Sequence, residues 1–298
     1  MGSDFQFVLV AKDEASAQYF FQLAVDEILR IENLLTEFSP DSQTSLINAN
    51  AGIKPVFVDE EVFQLIQRAM QLSQLTQGAF DITMKPFKSI YKFDNANFSM
   101  PSDATIVSLK TLIGYEKIRL LENNTVFLPL KGMAISFAGI GKGYAADKVR
   151  DLWKKHGLKH AVVSASGDLC AMGLNDDGLP WRIGIAHPDQ TSANIANINI
   201  SDAAVASSGN YEQYFIYNNK KYGHTINPLT GKPCLSLKSV TVVSPSAELS
   251  DALATAVYVM GPEKGLFLIN QLPATHALIV DDFNTIYLSE NSIFEYEE

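Results

Sequence analysis

Asp251 and Thr255 stand four residues apart in Glu248-Leu249-Ser250-Asp251-Ala252-Leu253-Ala254-Thr255-Ala256, an apolar, alanine-rich run that reads as a helix. At that spacing the carboxylate and the hydroxyl lie on one face, one turn apart. With no His or Cys beside them they are hard oxygen ligands, suited to Mg²⁺ or Ca²⁺. Mg²⁺ in such a place usually keeps phosphate oxygens as co-ligands. A plainer reading stands beside this one: Asp251 faces the positive end of the helix dipole and Thr255 fills space.

Four further stretches have chemistry-bearing residues. Ala138-Gly139-Ile140-Gly141-Lys142-Gly143-Tyr144-Ala145-Ala146-Asp147 follows an expected strand and opens an expected helix. Its glycines let backbone approach a ligand, the helix start offers N–H groups to an anion, and Lys142 adds positive charge. It is not a nucleotide-binding P-loop, because the glycine spacing differs and no Ser or Thr follows the Lys. Ser164-Ala165-Ser166-Gly167-Asp168 is a small-residue turn, open to a ring or phosphate or simply a turn. In Gly78-Ala79-Phe80-Asp81-Ile82-Thr83, Asp81 either meets a ring N–H or caps the next turn. His224, before the Pro/Gly-punctuated Asn227-Pro228-Leu229-Thr230-Gly231, is either a general base or structural. Ser207 and Ser208 precede it without a base at a recognisable spacing, and Gly-x-Ser-x-Gly is absent.

The elements that must position these groups follow from periodicity. Phe5–Val10 reads as a first strand. Residues 15–35 carry Phe20, Phe21, Ala24, Ile28, Ile31 and Leu35 at helical spacing. A turn-rich loop over 36–42 follows, then a helix with Asp59 as N-cap through Val62, Leu65, Ile66, Ala69 and Met70. Residues 88–115 are mixed and turn-rich. Strands are expected at Ile118–Leu120, Thr125–Leu128 and Met133–Phe137, and a helix at 143–156. Further strands fall at 161–164, 181–186, 196–200, 203–207, 214–217, 239–244, 276–280 and 285–288, with a helix at 263–271 besides the one holding Asp251. Strands outnumber helices and many are joined by short turns, so the chain should be α+β with mostly antiparallel sheet. No repeat or linker is visible, and we expect one domain over residues 1–298.

The bulk properties narrow the function. The 298 residues allow a large core, and 47% hydrophobic residues exclude a disordered chain. A formal charge of −10 argues against nucleic-acid or anionic-membrane binding, so an anionic ligand needs a local device. Cys170 and Cys234 form no metal motif and read as buried thiols. No apolar run is long enough to span a bilayer. As written, the chain suits the cytoplasm. With an export leader removed it suits the periplasm, as a membrane-anchored lipoprotein.

Taken together and in order, these stretches resemble the FAD:protein FMN transferase family, the ApbE-type flavin transferases. Met1-Gly2-Ser3 is similar to the family's Met-Gly-Thr, and Leu35-Thr36-Glu37-Phe38 with Ser42 and Asn48 to its Leu-Ser-x-Tyr…Ser…Asn. Gly78–Thr83, Gly139–Asp147, Ser166–Asp168, Ser207–Gly209, His224–Gly231 and Asp251–Thr255 resemble its remaining motifs. The resemblance implies two interleaved halves with a flavin cleft between them, in a T-fold-related architecture. It implies FAD as flavin donor and Mg²⁺ at its pyrophosphate, with Asp251, Thr255 and the Gly139 carbonyl as metal ligands. FMN would pass to a Thr or Ser hydroxyl of an acceptor flavoprotein, of a redox or electron-transport complex, releasing AMP. His224 would be the base, with Asp251 also catalytic, and Met1, Phe38, Ala79, Phe80, Asp81, Ser136, Lys142 and Ile226 would contact FAD. The chain departs from the pattern in four places. Ser136 stands where the family usually has Asp, near the adenine side; Phe38 replaces Tyr, Asn227 replaces Asp, and Ser166 replaces Gly. The rival expectations are a metal-dependent FAD pyrophosphatase and a non-catalytic FAD-binding protein.

Overall fold

The computed structural model describes residues 3–91, 100–209, 214–217, 220–235 and 237–296. Met1 therefore lies outside the described residues. In chain order the strands are β1 (Phe5–Leu9), β2 (Val56–Phe57), β3 (Arg119–Leu121), β4 (Thr125–Phe127), β5 (Ala161–Ala165), β6 (Asp168–Met172), β7 (Trp181–His187), β8 (Gln190–Ile200), β9 (Ala204–Gly209), β10 (Tyr214–Tyr217), β11 (Lys220–Gly223), β12 (Leu237–Ser244), β13 (His276–Asp281) and β14 (Ile286–Leu288). The helices are α1 (Glu14–Leu35), α2 (Gln43–Ala49), α3 (Glu60–Leu75), α4 (Lys85–Lys88), α5 (Asp103–Lys110), α6 (Gly141–Lys155), α7 (Ala247–Met260) and α8 (Pro262–Ile269). Every strand pairing among the described residues is antiparallel, as expected for this α+β chain.

The chain forms two units, each assembled from separated stretches. The first comprises Met1–Ile31, Ile140–Gly209 and Ser236–Glu298; the second comprises Glu32–Gly139 and Asn210–Leu235.

In the first unit a seven-stranded sheet runs β1-β5-β6-β9-β12-β13-β14. The period-2 alternation of its strands sorts side chains to opposite faces. Ala161, Val163, Cys170 and Met172 pack with Ala24 and Ile28 of α1, Ala146, Val149 and Trp153 of α6, and Ala247 of α7. Their sequence neighbours Val162 and Ala171 pack with Val205, Val243 and Leu278 against Ile185, Ala196 and Ile198 of the β7–β8 hairpin. Helices thus cover one face and a hairpin the other, which is why β12 is buried at nearly every position rather than at alternate ones. The β5–β6 turn needs two left-handed residues, Ser166 (φ 51°) and Gly167 (φ 97°), the geometry of a tight two-residue hairpin.

The second unit holds the three-stranded sheet β2-β4-β3, the β10–β11 hairpin and helices α2 to α5. Met84, Phe87, Tyr91, Ile106, Ile113 and Ile226 form a buried cluster there. Tyr91 closes it by donating its hydroxyl to the Gly231 carbonyl at 2.8 Å. A Cβ on Gly231 would lie 2.6 Å from the Phe87 ring, so only glycine fits that turn.

Four local expectations are corrected. Met133–Phe137 is not a strand, and the Gly139 stretch does not follow one. The Asn48 side chain takes both the Ile135 N–H (2.7 Å) and the Ile135 carbonyl (2.9 Å), standing in for a neighbouring strand. Helix α6 starts at Gly141, so Lys142 sits within its first turn rather than before it. Asp59 occupies the N-cap backbone position of α3 but its side chain makes no capping bond. Cys234 is half-buried rather than buried, while Cys170 is buried; both are free thiols. Burial pushes the Cys234 thiol up to about 12.

Candidate functional site

In the first unit the chemistry gathers where α6 and α7 pack by their N-terminal ends. Gly143 allows the contact: a Cβ there would stand 2.1 Å from the Ala247 carbonyl oxygen. Each helix then supplies a carboxylate to the other's start. Asp251 of α7 accepts the Gly143 N–H at 3.2 Å. Asp147 of α6 accepts the Ala247 and Glu248 N–H groups at 3.0 and 2.9 Å and pairs with Arg150 at 2.8 Å. These bonds satisfy helix N–H groups that have no partner within their own helix. Burial raises the Asp147 carboxyl above its ordinary range, against the opposing pull of Arg150 and the two N–H groups.

Asp251 is 5% exposed and Thr255 half-buried, one turn further along α7. The Thr255 hydroxyl lies 3.4 Å from the Ser208 hydroxyl of β9. Lys142, in the first turn of α6, forms an ion pair with Asp168 at the start of β6. Asp168 is 2% exposed and also accepts the Ser207 N–H at 3.2 Å. The expected Ser164–Asp168 turn therefore works through its last residue, which tethers the lysine. The first unit thus brings together Lys142, Asp251 and Thr255 of the expected set, on two packed helices.

In the second unit Asp81 caps the short 3₁₀ turn Ile82–Met84. Its oxygens accept the Thr83 N–H and hydroxyl at 2.8 and 2.7 Å and the Tyr115 N–H at 2.9 Å. Burial nevertheless raises its carboxyl above the ordinary value. Ala79, Phe80 and Ile226 are buried side chains, so they offer backbone rather than side-chain surface to a ligand. Phe38 is the opposite case, 93% exposed. Ser136, 5% exposed, is fixed by its N–H to the Ile82 carbonyl at 2.8 Å, and its hydroxyl donates to Glu37. Lys85 pairs with the other Glu37 oxygen at 2.9 Å. His224 follows β11 and is half-buried. Gly139 closes the second unit's long stretch, next along the chain to Ile140 of the first.

Three residues absent from the expected site belong to these clusters: Asp147, Asp168 and Glu37. Asp168 was visible as the polar end of a small-residue turn. Asp147 also has a local partner in Arg150, but the Ala247 N–H that it caps and the Ser136 hydroxyl that Glu37 accepts lie about a hundred residues away, beyond any local pattern.

Among the described residues no group of three or more His, Cys, Asp or Glu side chains is placed to hold a metal. Asp251 and Thr255 supply two hard oxygens, too few to cage an ion but sufficient for one that keeps water and phosphate as its other ligands. That donor set fits Mg²⁺.

Fold and clusters together define the class: an α+β protein with an anion-suited helix start beside a hard-oxygen pair. The model of the ApbE family matches residues 1–279, and the chain belongs to that family. A FAD:protein FMN transferase of Klebsiella pneumoniae is 34% identical over 292 residues, 97% of this chain and 89% of that protein. One from Vibrio cholerae serotype O1 is 28% identical over 298 residues, 98% of this chain and 89% of its own length. Among solved structures, the ApbE protein of Thermotoga maritima superposes with a TM-score of 0.90 at 30% identity, covering 99% of this chain and 97% of the other. The flavin transferase ApbE of Vibrio cholerae gives 0.87 at 27% identity, covering 97% and 94%.

Proposed function

We propose that this chain is an FAD:protein FMN transferase that moves the FMN half of FAD onto a Thr or Ser hydroxyl of an acceptor protein, releasing AMP. Family membership supports the activity, since the relatives carry that name. The observation that carries it for this chain is the packed start of α6 and α7, where Lys142, Asp251 and Thr255 sit with a helix N-terminus. Backbone N–H groups at a helix start favour an anion, and Lys142 adds a charge that Asp168 holds in position.

Asp251 and Thr255 would hold Mg²⁺, together with the Gly139 carbonyl. When bound, the ion supplies charge neutralisation at the pyrophosphate. His224 would take the acceptor hydroxyl's proton on a ring nitrogen. The acceptor oxygen then forms a bond to the FMN phosphorus, and the phosphoanhydride bond breaks with its electron pair leaving on AMP. Phe38, Ala79, Phe80, Asp81, Ser136 and Ile226 would bind the dinucleotide, with Met1. The acceptor is a flavoprotein of a redox or electron-transport complex.

Incubation with FAD, Mg²⁺ and a threonine-containing acceptor peptide tests the reading by mass spectrometry. FMN fixed to the peptide, with AMP in equal amount, supports it. Free FMN and AMP alone would make the protein a pyrophosphatase, and bound FAD without turnover would make it a binder.

A further inference from the structure

We propose that Ser208 is a positioning residue for the metal: its hydroxyl oxygen accepts the proton of the Thr255 hydroxyl and so turns a lone pair of Thr255 toward the cation. This rests on the flavin-transfer reading above and concerns the metal end of the same site.

A Ser or Thr hydroxyl on a helix ordinarily bonds back to the carbonyl four residues earlier. Ser73 and Thr76 do so at the end of α3, to Ala69 at 2.9 Å and Leu72 at 2.8 Å. Thr255 lies within α7 and does not. Among the described residues its hydroxyl bonds only Ser208, at 3.4 Å. Ser250 of the same helix also turns its hydroxyl outward, to the Ala204 carbonyl of β9 at 3.3 Å. α7 can lie this close because Ala204 and Ala206, which alternate onto the same side of β9 as Ser208, are small and fully buried.

Ser208 is itself held. It pairs with Val240 of β12 in the sheet. Its neighbour Ser207 gives its N–H to Asp168, the partner of Lys142, at 3.2 Å, and its hydroxyl meets that of Thr241 at 2.8 Å. The end of β9 thus ties the lysine side of the site to the metal side.

The direction of the Thr255 proton follows from its chemistry. A hydroxyl has one hydrogen and two lone pairs. When the oxygen lends a lone pair to a cation, the hydrogen must point elsewhere, and Ser208 is the acceptor in reach. With that bond made, the Thr255 hydroxyl is oriented for the ion. Without it, the ordinary bond back to the Asp251 carbonyl competes. At 3.4 Å the contact is long, so it orients more than it stabilises.

Calorimetry of FAD binding to the full chain, across Mg²⁺ concentrations and in chelator, tests this. Ser208→Ala should leave FAD affinity in chelator unchanged. It should raise the Mg²⁺ concentration needed for tight binding about tenfold, the lower range for losing a group that orients a metal ligand. Ser208→Thr, which keeps a hydroxyl, should restore the wild-type requirement. In a Thr255→Ala background the loss of Ser208 should add nothing, because the serine acts only through the threonine. A wild-type Mg²⁺ requirement in Ser208→Ala overturns the inference, and so does a full further effect in the Thr255→Ala background. A lowered melting temperature with the Mg²⁺ requirement unchanged would mark a packing role and overturn it too. A wild-type chain that binds no FAD would instead overturn the proposed function.

Discussion

The carboxylate of Asp251 accepts the backbone N–H of Gly143 at 3.2 Å, so the expected metal ligand is also the cap on the helix that carries Lys142. Asp147 does the reverse service for α7. The two helix starts are locked to each other by exchanged carboxylates, and the candidate chemistry sits on that lock. Function and stability are therefore entangled at Asp251 and separable at Asp147.

Asp251→Ala is expected to abolish Mg²⁺-dependent AMP release, by at least about a hundredfold, since a bound divalent ion contributes several kcal/mol to phosphoryl transfer. Losing one cap should cost only about 1 kcal/mol of stability. Turnover assays with and without Mg²⁺, beside a thermal melt, check both halves. Wild-type turnover in the variant would remove Asp251 from the metal site.

Asp147→Ala should behave differently. It strands the Ala247 and Glu248 N–H groups and leaves the largely buried Arg150 without its main partner. The loss should be about 3 kcal/mol. Urea unfolding measures it; a change below about 1 kcal/mol would show that the exchanged carboxylates do not hold the helices together.

Gly143→Ala places a methyl group 2.1 Å from the Ala247 carbonyl oxygen, with backbone rather than a flexible side chain in its way. We expect roughly 3 kcal/mol of destabilisation, the upper end of ordinary overpacking. A melting temperature equal to wild type would mean that α6 and α7 part more easily than their packing indicates.

His224→Ala should bind FAD with near wild-type affinity and transfer FMN about a hundredfold more slowly, the lower range for loss of a general base. Calorimetry and single-turnover kinetics separate the two effects. If binding collapses with the rate, His224 is a ligand-binding residue and another group takes the proton.

Asp81 gives a pH signature. Burial raises its carboxyl above 3.8, outweighing the bonds from Thr83 and Tyr115. The folded state therefore holds this proton more tightly than the unfolded state does. Its contribution to stability is fully present below 3.8 and is lost as pH rises through the raised folded value. Asp147 is raised as well and adds a decline of the same sign. Asp81→Asn should flatten the fall of unfolding free energy above pH 3.8, whatever it does to the absolute value. Identical pH slopes for the two proteins would contradict this.

Much of this was legible in the chain. The α+β class followed from alternating strands and short turns, and the Asp251–Thr255 pair from helical spacing alone. What stayed hidden was of two kinds. Short elements such as α2 and α5 carry too few turns for a clear apolar stripe. Met133–Phe137 has a strand's composition, but a single asparagine side chain occupies the place of a strand partner. The remainder is long-range pairing. Lys142 with Asp168, Asp147 with α7, and Glu37 with Ser136 depend on which segments the sheet and helices bring together, and no local window contains both partners.

The place of β1 has a consequence for biosynthesis. It forms an edge of the seven-stranded sheet and joins it only through β5, in the register Phe5↔Ala165 to Leu9↔Ala161. About 150 residues must leave the ribosome before that partner exists, roughly 10 to 30 seconds at ordinary elongation rates. The strands at the opposite edge, β13 and β14, come more than a hundred residues later still. Throughout that interval the nascent chain carries β1 as an unsatisfied, largely apolar strand, the kind of surface that chaperones shield and that aggregation exploits.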